Sequence, residues 1–157
     1  MGRERYRRGF FWTVVLICLA LAIMAHLAIA PVAAQVDSLY GVAASTDVMV
    51  PMRDGVRLAT DVYRPAREGT PLPGKFPALL LRTPYNKIVR AAAAGDYATA
   101  QYFVPRGYVV VMQDVRGRFK SEGRWQLLKD DPNDGFDTAK WIGAQPWSDG
   151  SIGAMGG

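Results

Sequence analysis

Two uninterrupted apolar runs constrain this sequence more than any other feature. Residues Phe76–Thr83 read FPALLLRT, and residues Tyr108–Asp114 read YVVVMQD. Neither run alternates polar with apolar residues, so each predicts a strand that is covered on both faces. Strands of this kind belong to parallel sheets lying between layers of helices, because a sheet with one wet face would show alternation. The two runs therefore predict an α/β fold.

The segment before these runs predicts a β-hairpin. Residues Ser45–Met52 (STDVMVPM) and Val56–Pro65 (VRLATDVYRP) both alternate apolar with polar side chains, and Arg-Asp-Gly at residues 53–55 lies between them. An Asp-Gly turn between two alternating runs is a strong hairpin signal.

Helices are predicted between the later strands. An Ala-rich stretch has helical spacing from about Asp96 to Phe103, and a second helix is expected to start near Asp134, with Asn133 or Asp134 as its N-cap. The residues expected on the inner side of the second helix are Phe136, Ala139 or Lys140, Ile142 and Gly143. SIGAM (Ser151–Met155) predicts a third buried strand, so the whole pattern predicts a sheet that begins antiparallel and becomes parallel.

Residues 1–34 predict an export signal. Four arginines between positions 3 and 8 precede an apolar run from Phe10 to Ala25. Val32 and Ala34 fit the small-residue pattern before a signal-peptidase cut, which would leave Gln35 as the new N-terminus. We therefore expect an exported protein, periplasmic or secreted.

Two alternatives to a cleaved signal stay open. Residues 10–30 are nearly long enough to remain as a membrane anchor, which would be the chain's only membrane contact. RRGFF also resembles a twin-arginine export signal. In either case residues 35–44 are expected to be a linker and residues 45–157 to form the folded domain.

The charge balance argues against a nucleic-acid-binding protein. The chain has 19 basic and 14 acidic residues, and residues 1–34 hold four of the arginines and one glutamate, so the remainder carries a net charge of +2. No Lys/Arg stripe interleaved with aromatics is left in that remainder. The single cysteine, Cys18, lies in the export segment, so the domain is expected to rely on its core rather than on disulfides.

The last residues, Ser151–Gly157 (SIGAMGG), place two glycines directly after the third strand. The spacing of the glycines does not match the G-x-G-x-x-G of a dinucleotide-binding turn. A plain structural turn and a nucleophile elbow, G-x-S-x-G, remain. In the elbow, Gly156 and Gly157 would form the first two positions, and the serine would come next.

Motifs along nearly the whole domain then indicate a family. LLLRTPYNK, GYVVVMQDVRGRFKSEG and DPNDGFDTAKWIGAQPWSDGSIGAMGG occur in this order within residues 43–157. Together they resemble the N-terminal part of the cocaine esterase and X-Pro dipeptidyl-peptidase group of α/β-hydrolases (S15-like, CocE/NonD). The resemblance implies the N-terminal half of an α/β-hydrolase fold, and in that family the last motif continues into Ser-Tyr-x-Gly with the serine as nucleophile.

The resemblance also implies roles for particular residues. The family's oxyanion hole uses a tyrosine hydroxyl after the third strand, and the matching tyrosine is Tyr85, which would otherwise be an ordinary half-buried aromatic. Asp114 and Arg116 follow a parallel strand, where they could line a pocket or form an Asp–Arg pair that braces a loop. Ser121 is not a credible nucleophile, because it lacks a glycine elbow.

The implied function is hydrolysis of an ester, amide or peptide bond through an acyl-serine intermediate, without a metal or an organic cofactor. The only histidine, His26, lies in the export segment, and triad acids and bases follow the nucleophile in α/β-hydrolases. The chain is therefore expected to be an inactive fragment of a hydrolase. The alternative from another class is a complete small exported or membrane-anchored binding protein.

Overall fold

The computed structural model describes residues 39–87 and 96–156. Residues 1–38, which hold the expected export segment and the first four residues of the expected linker, lie outside this part of the chain, as do residues 88–95 and Gly157. The strands are β1 (Gly41–Pro51), β2 (Arg57–Arg67), β3 (Thr70–Pro71), β4 (Phe76–Thr83), β5 (Val109–Asp114) and β6 (Ser148–Met155). The helices are α1 (Asp96–Phe103), which runs into a 3-10 turn at Val104–Arg106, and α2 (Asp131–Gly143).

The sheet begins antiparallel and becomes parallel, as the sequence pattern predicts. Its order is β1-β2-β5-β4-β6, with the short β3 pairing with the end of β2. The pairs β1–β2 and β2–β5 are antiparallel, whereas β5–β4 and β4–β6 are parallel. In the parallel part, Leu80 of β4 lies opposite Val111 of β5 and Ala154 of β6.

The core covers both faces of β5, which explains its uninterrupted apolar run. Val109 and Val111 pack with Ile142 of α2 and with Trp147 on one face. Val110 and Met112 pack with Ala100 of α1 and with Val104 on the other face. Every residue of β5 is buried as a result.

The last strand differs from the expectation of a third buried strand. Ser148 is the only buried residue of β6, Ile152 is half-buried, and the others are exposed. Among the described strands, β6 pairs only with β4, so it is an edge strand. The apolar residues at the end of β6 are therefore not buried by any other part of residues 39–156.

The start and the inner face of α2 also differ from the sequence-based expectation. The helix begins at Asp131, with Asp130 rather than Asn133 or Asp134 at the N-cap, and no side chain caps it. Pro132 lies in the first turn, where its missing N–H leaves no helical hydrogen bond unmade. The buried residues of the helix are Asp134, Thr138 and Ile142.

Phe136, predicted to lie on the inner side of α2, is 64% exposed. Its ring instead lies 5.7 Å from the guanidinium carbon of Arg53, within the range of a cation–π contact. Ala139 is half-buried and Lys140 is exposed. The inner face follows the spacing of Asp134, Thr138 and Ile142 at four-residue intervals, and Phe136 does not belong to that row.

The N-terminal hairpin starts earlier than expected. β1 begins at Gly41, so four residues of the expected linker belong to the strand, where Gly41 pairs with Ala66 and Ala44 with Tyr63. The register shifts between Ser45 and Val48. Within residues 39–87 and 96–156, no helix has the length and apolarity that crossing a membrane would require.

We expect Gly117→Ala to destabilise the protein far more than Gly55→Ala. Both glycines have a positive φ, +66° and +86°, so both substitutions carry a backbone cost of about 1–2 kcal/mol. A Cβ at Gly117 would also lie 2.1 Å from the backbone nitrogen of Trp125, whereas a Cβ at Gly55 would meet nothing within 4 Å. Urea unfolding followed by tryptophan fluorescence should show a difference of at least about 2 kcal/mol between the variants. Equal free energies of unfolding would contradict this packing of the loop.

Candidate active site

The carboxyl ends of the parallel strands meet at one edge of the sheet. Thr83 at the end of β4 lies opposite Asp114 at the end of β5, and Leu81 lies opposite Met155 near the end of β6. Ligands of open α/β sheets bind outside this edge. Four of the expected site residues lie at or just after these strand ends, namely Tyr85, Asp114, Arg116 and Gly156. Gly157 lies outside the described residues.

Tyr85 combines an exposed side chain with a firmly held backbone. The residue is 67% exposed, and its N–H donates to Thr83 Oγ1 at 3.1 Å. The carbonyl oxygen of the preceding Pro84 accepts a hydrogen bond from Arg118 Nε at 3.1 Å. Asn86 has a φ of +75°, so the chain turns sharply just after the tyrosine. The phenol can therefore reach a ligand while its segment stays fixed.

The buried Asp114 side chain binds the backbone of the Tyr85 segment. Its Oδ1 accepts the backbone N–H of Lys87 at 2.8 Å, and its carbonyl oxygen accepts the Ser121 hydroxyl at 2.6 Å. Oδ2 has no hydrogen-bond partner among the described residues. Burial raises the pKa of the Asp114 carboxyl, although the Lys87 N–H that donates to it acts in the opposite direction. The residue is a buried brace rather than a pocket-lining charge.

Arg116 does form Asp–Arg pairs that brace the loop, but its partners are Asp134 and Asp54 and not Asp114. Its Nε and Nη2 donate to the two oxygens of Asp134 at 3.0 and 2.7 Å, and its Nη1 donates to Asp54 Oδ2 at 2.6 Å. The hydrogen bonds to Asp134 and Asp54 raise the pKa of Arg116. One guanidinium thus joins the hairpin turn, the loop after β5 and the first turns of α2. Asp134 serves this contact and not the helix cap.

A second arginine, Arg82 of β4, binds the same end of α2. Its Nη1 donates to the Asp131 carbonyl at 2.9 Å and lies 3.2 Å from Asp131 Oδ1, and its Nε donates to Gln113 Oε1 at 2.9 Å. Burial lowers the pKa of Arg82, which the Asp131 and Asp134 carboxylates oppose. Sequence reasoning missed this residue. The signal available was an arginine inside an otherwise apolar strand run.

The loop after β5 is built around Ser121 and Glu122. Ser121 is buried, and its Oγ accepts the Ala59 N–H at 2.9 Å while it donates to the Asp114 carbonyl, so its hydroxyl is used structurally. The Glu122 Oε1 lies 2.6 Å from Arg57 Nη2, and the Glu122 carbonyl accepts the Gly117 N–H at 2.8 Å. These bonds hold the loop against β2.

Lys87 is the largest fully buried side chain of the described residues, and sequence reasoning missed it as well. Its Nζ lies 2.7 Å from Asp47 Oδ1 and 2.9 Å from Asp61 Oδ1. Burial alone would lower the pKa of Lys87, but the hydrogen bonds to Asp47 and Asp61 raise it. Asp61, an acid that is 2% exposed in β2, requires such a partner, but the alternation of residues 56–65 does not mark it as buried.

The edge can therefore offer an exposed phenol O–H just after β4, the strand that pairs with β6. No group of three His, Cys, Asp or Glu side chains in residues 39–87 and 96–156 is arranged to hold a metal ion. The one histidine of the chain, His26, lies outside these residues.

Comparisons with known proteins identify the family of the chain. Residues 54–157 match the family model described as X-Pro dipeptidyl-peptidase (S15 family). The chain is 47% identical over 122 residues to the cocaine esterase of Rhodococcus sp. (strain MB1 Bresler), a match that covers 78% of this chain and 20% of that protein.

Solved structures show the same fold. An α-amino acid ester hydrolase aligns with a TM-score of 0.58 and 29% identity, covering 81% of this chain and 24% of that one. A CocE/NonD family hydrolase from Staphylococcus aureus aligns with a TM-score of 0.58 and 28% identity, covering 71% of this chain and 22% of that one. These likenesses confirm the α/β-hydrolase fold, and the chain spans about a fifth to a quarter of the length of these relatives.

We expect Arg116→Met to cost far more stability than Arg53→Met. The Arg116 side chain is 12% exposed and Asp134 is 2% exposed, so removing this guanidinium leaves a buried carboxylate without its hydrogen-bonded partner, with only Arg82 Nη2 at 3.8 Å as a counter-charge, at a cost of about 3–5 kcal/mol. The matched Arg53, paired with Asp137, is 53% exposed, and a pair that is open to solvent contributes little to stability. Urea denaturation of both variants measures the difference. Similar losses would show that Asp134 does not depend on Arg116.

Proposed function

The chain belongs to the X-Pro dipeptidyl-peptidase (S15) family, and from that premise we propose that it forms the oxyanion side of a serine hydrolase active site. The observation that carries the proposal is Tyr85, an exposed phenol on a segment hydrogen-bonded before and after the tyrosine, at the edge where β4 and β6 end. The reaction is hydrolysis of an ester or amide bond through an acyl-serine intermediate.

Tyr85 would act on the tetrahedral intermediate. When a serine attacks a carbonyl carbon, the carbonyl oxygen gains negative charge, and a donor already fixed in place stabilises that charge without having to reorganise. The exposed hydroxyl of Tyr85 is suited to this role because the backbone is hydrogen-bonded both at the Pro84–Tyr85 peptide and, two residues later, at the Lys87 N–H. A single such donor contributes about 3–4 kcal/mol to the transition state.

Gly156 would begin the nucleophile elbow. It follows β6 directly, and nothing lies within 4 Å of the place where a Cβ would be. In the G-x-S-x-G pattern Gly156 and Gly157 are the first two positions and the serine is the third. In a polypeptide of the relatives' length, the serine and then its acid and base would come after these 157 residues.

The substrate would be a small ester, amide or peptide. The two relatives are named as a cocaine esterase and an α-amino acid ester hydrolase, and the family model is described as X-Pro dipeptidyl-peptidase. Hydrolysis of an ester or of a peptide bond transfers an acyl group to water in each case. For this chain we propose an acyl-transfer substrate and no nucleic-acid partner.

The test is a chimera in which residues 39–157 replace the matching segment of the Rhodococcus cocaine esterase. The chimera should hydrolyse a p-nitrophenyl ester, and Tyr85→Phe should lower its kcat by about 10²–10³-fold because one oxyanion donor is lost. Tyr102→Phe is the matched control, since Tyr102 is also exposed but lies on α1, and it should change kcat less than about twofold. A folded but inactive chimera, or full activity in Tyr85→Phe, would contradict the proposal.

We further propose that the protein is exported and cleaved after Ala34. The support is the sequence of residues 1–34, with arginines before an apolar run and small residues at its end. N-terminal sequencing of protein from a periplasmic or medium fraction should begin at Gln35. Full-length protein in the membrane fraction would favour the anchor formed by residues 10–30, and full-length protein in the cytosol would contradict export.

A further inference from the structure

We propose that Lys87 is a positioning residue for Tyr85, and that it acts by tying the Tyr85 segment to the N-terminal hairpin. The inference rests on the proposed role of Tyr85 and adds a residue whose side chain lies below the surface that a substrate would contact. It assigns to the hairpin β1–β2 a part in setting the active-site geometry.

The first argument is the burial of the ammonium two residues after Tyr85. The Lys87 side chain is 0% exposed, and its Nζ lies 2.7 Å from Asp47 and 2.9 Å from Asp61. A lysine is almost never fully buried unless it is paired. This placement is costly for an ordinary loop residue, so the contact fixes where the chain passes after Tyr85.

The second argument is that the carboxylates are organised by the hairpin without the lysine. The Asp47 N–H donates to Asp61 Oδ1 at 2.9 Å, so the two aspartates are held together by a bond within the hairpin itself. Asp47 has a φ of +55° and lies where the β1–β2 register shifts, a position that turns it out of the regular ladder. The irregularity of β1 thus places the Asp47 carboxylate beside Asp61, where both bind the Lys87 ammonium.

The third argument is that Tyr85 lies between two fixed points. Thr83 ends β4 and receives the Tyr85 N–H, and its carbonyl accepts the Val115 N–H at 3.0 Å. Lys87, on the other side, donates its backbone N–H to Asp114 and its ammonium to the hairpin. Because Tyr85 is two positions from each anchor, the direction of its side chain depends on both.

The variants must separate position from stability. Lys87→Met alone leaves Asp61, which is 4% exposed, without its counter-charge, and this can unfold the chain. In the double variant Lys87→Met/Asp61→Asn, the amide carbonyl introduced at position 61 can still accept the Asp47 N–H, while the buried charge is removed. Lys120→Met is the matched control, because Lys120 also pairs with Asp47 but is 53% exposed.

The first measurement uses the full 157-residue chain. Hydrogen exchange of the backbone amide at position 87, which is bound to Asp114, should be at least about tenfold faster in the double variant than in the unaltered chain. The amide of Val111 in the middle of β5 reports on the global fold and should be unchanged in protection, as should position 87 in Lys120→Met. Unchanged protection at position 87 in the double variant would overturn the inference.

The second measurement uses the active chimera. In the double variant kcat should fall by about 10- to 100-fold, because a displaced donor stabilises the transition state poorly, while KM and the unfolding midpoint stay close to those of the unaltered chimera. Lys120→Met should keep kcat. If Tyr85→Phe lowers kcat and the double variant does not, the inference fails and the proposed function stands. If Tyr85→Phe has no effect, the proposed function itself fails, whatever position 87 shows.

Discussion

The parallel pairing of β4 with β5 is the constraint on which the rest of the site depends. Its register places Thr83 opposite Asp114, and the Val115 N–H extends the pairing to the Thr83 carbonyl beyond the last paired residues. Beyond this point the two strands separate. β4 continues into the Tyr85 segment, and β5 continues into the loop that holds Arg116. A shift of one residue in this register would turn one of the two segments to the opposite face of the sheet relative to the other.

Charged side chains then join elements that the sheet alone leaves separate. Arg116 connects the hairpin turn to α2, Arg82 connects β4 to the same helix, and Lys87 connects the Tyr85 segment to the hairpin. Each cation is largely buried and faces more than one acceptor, which is the condition under which a buried charge is tolerated. These buried polar side chains therefore hold the segments in place, and Tyr85 remains exposed to solvent.

The sequence pattern was sufficient to predict a strand or helix where one hydrophobic period extends along the whole segment. The hairpin, β4, α1 and β5 follow from alternation, continuous apolar runs and helical spacing, and the structure has them within a few residues of the predicted bounds. The sequence pattern gave the wrong role for a residue where a partner distant in sequence binds that residue in the folded chain. Asp134 suits an N-cap, but it is taken by Arg116, and Phe136 suits an apolar helix face, but it faces outward toward Arg53. Neither arginine is near these residues in sequence.

The sequence by itself determined the order of strands and helices, the family, and Tyr85 as the candidate oxyanion donor, because these depend on contiguous motifs and on the periods of backbone geometry. Only the tertiary structure decided which charges meet. Lys87 and Asp47 are separated by 40 residues, and Arg116 and Asp54 by 62. No local period encodes such pairs, since they arise when the β1–β2 hairpin and the carboxyl edge of the sheet are brought together by folding.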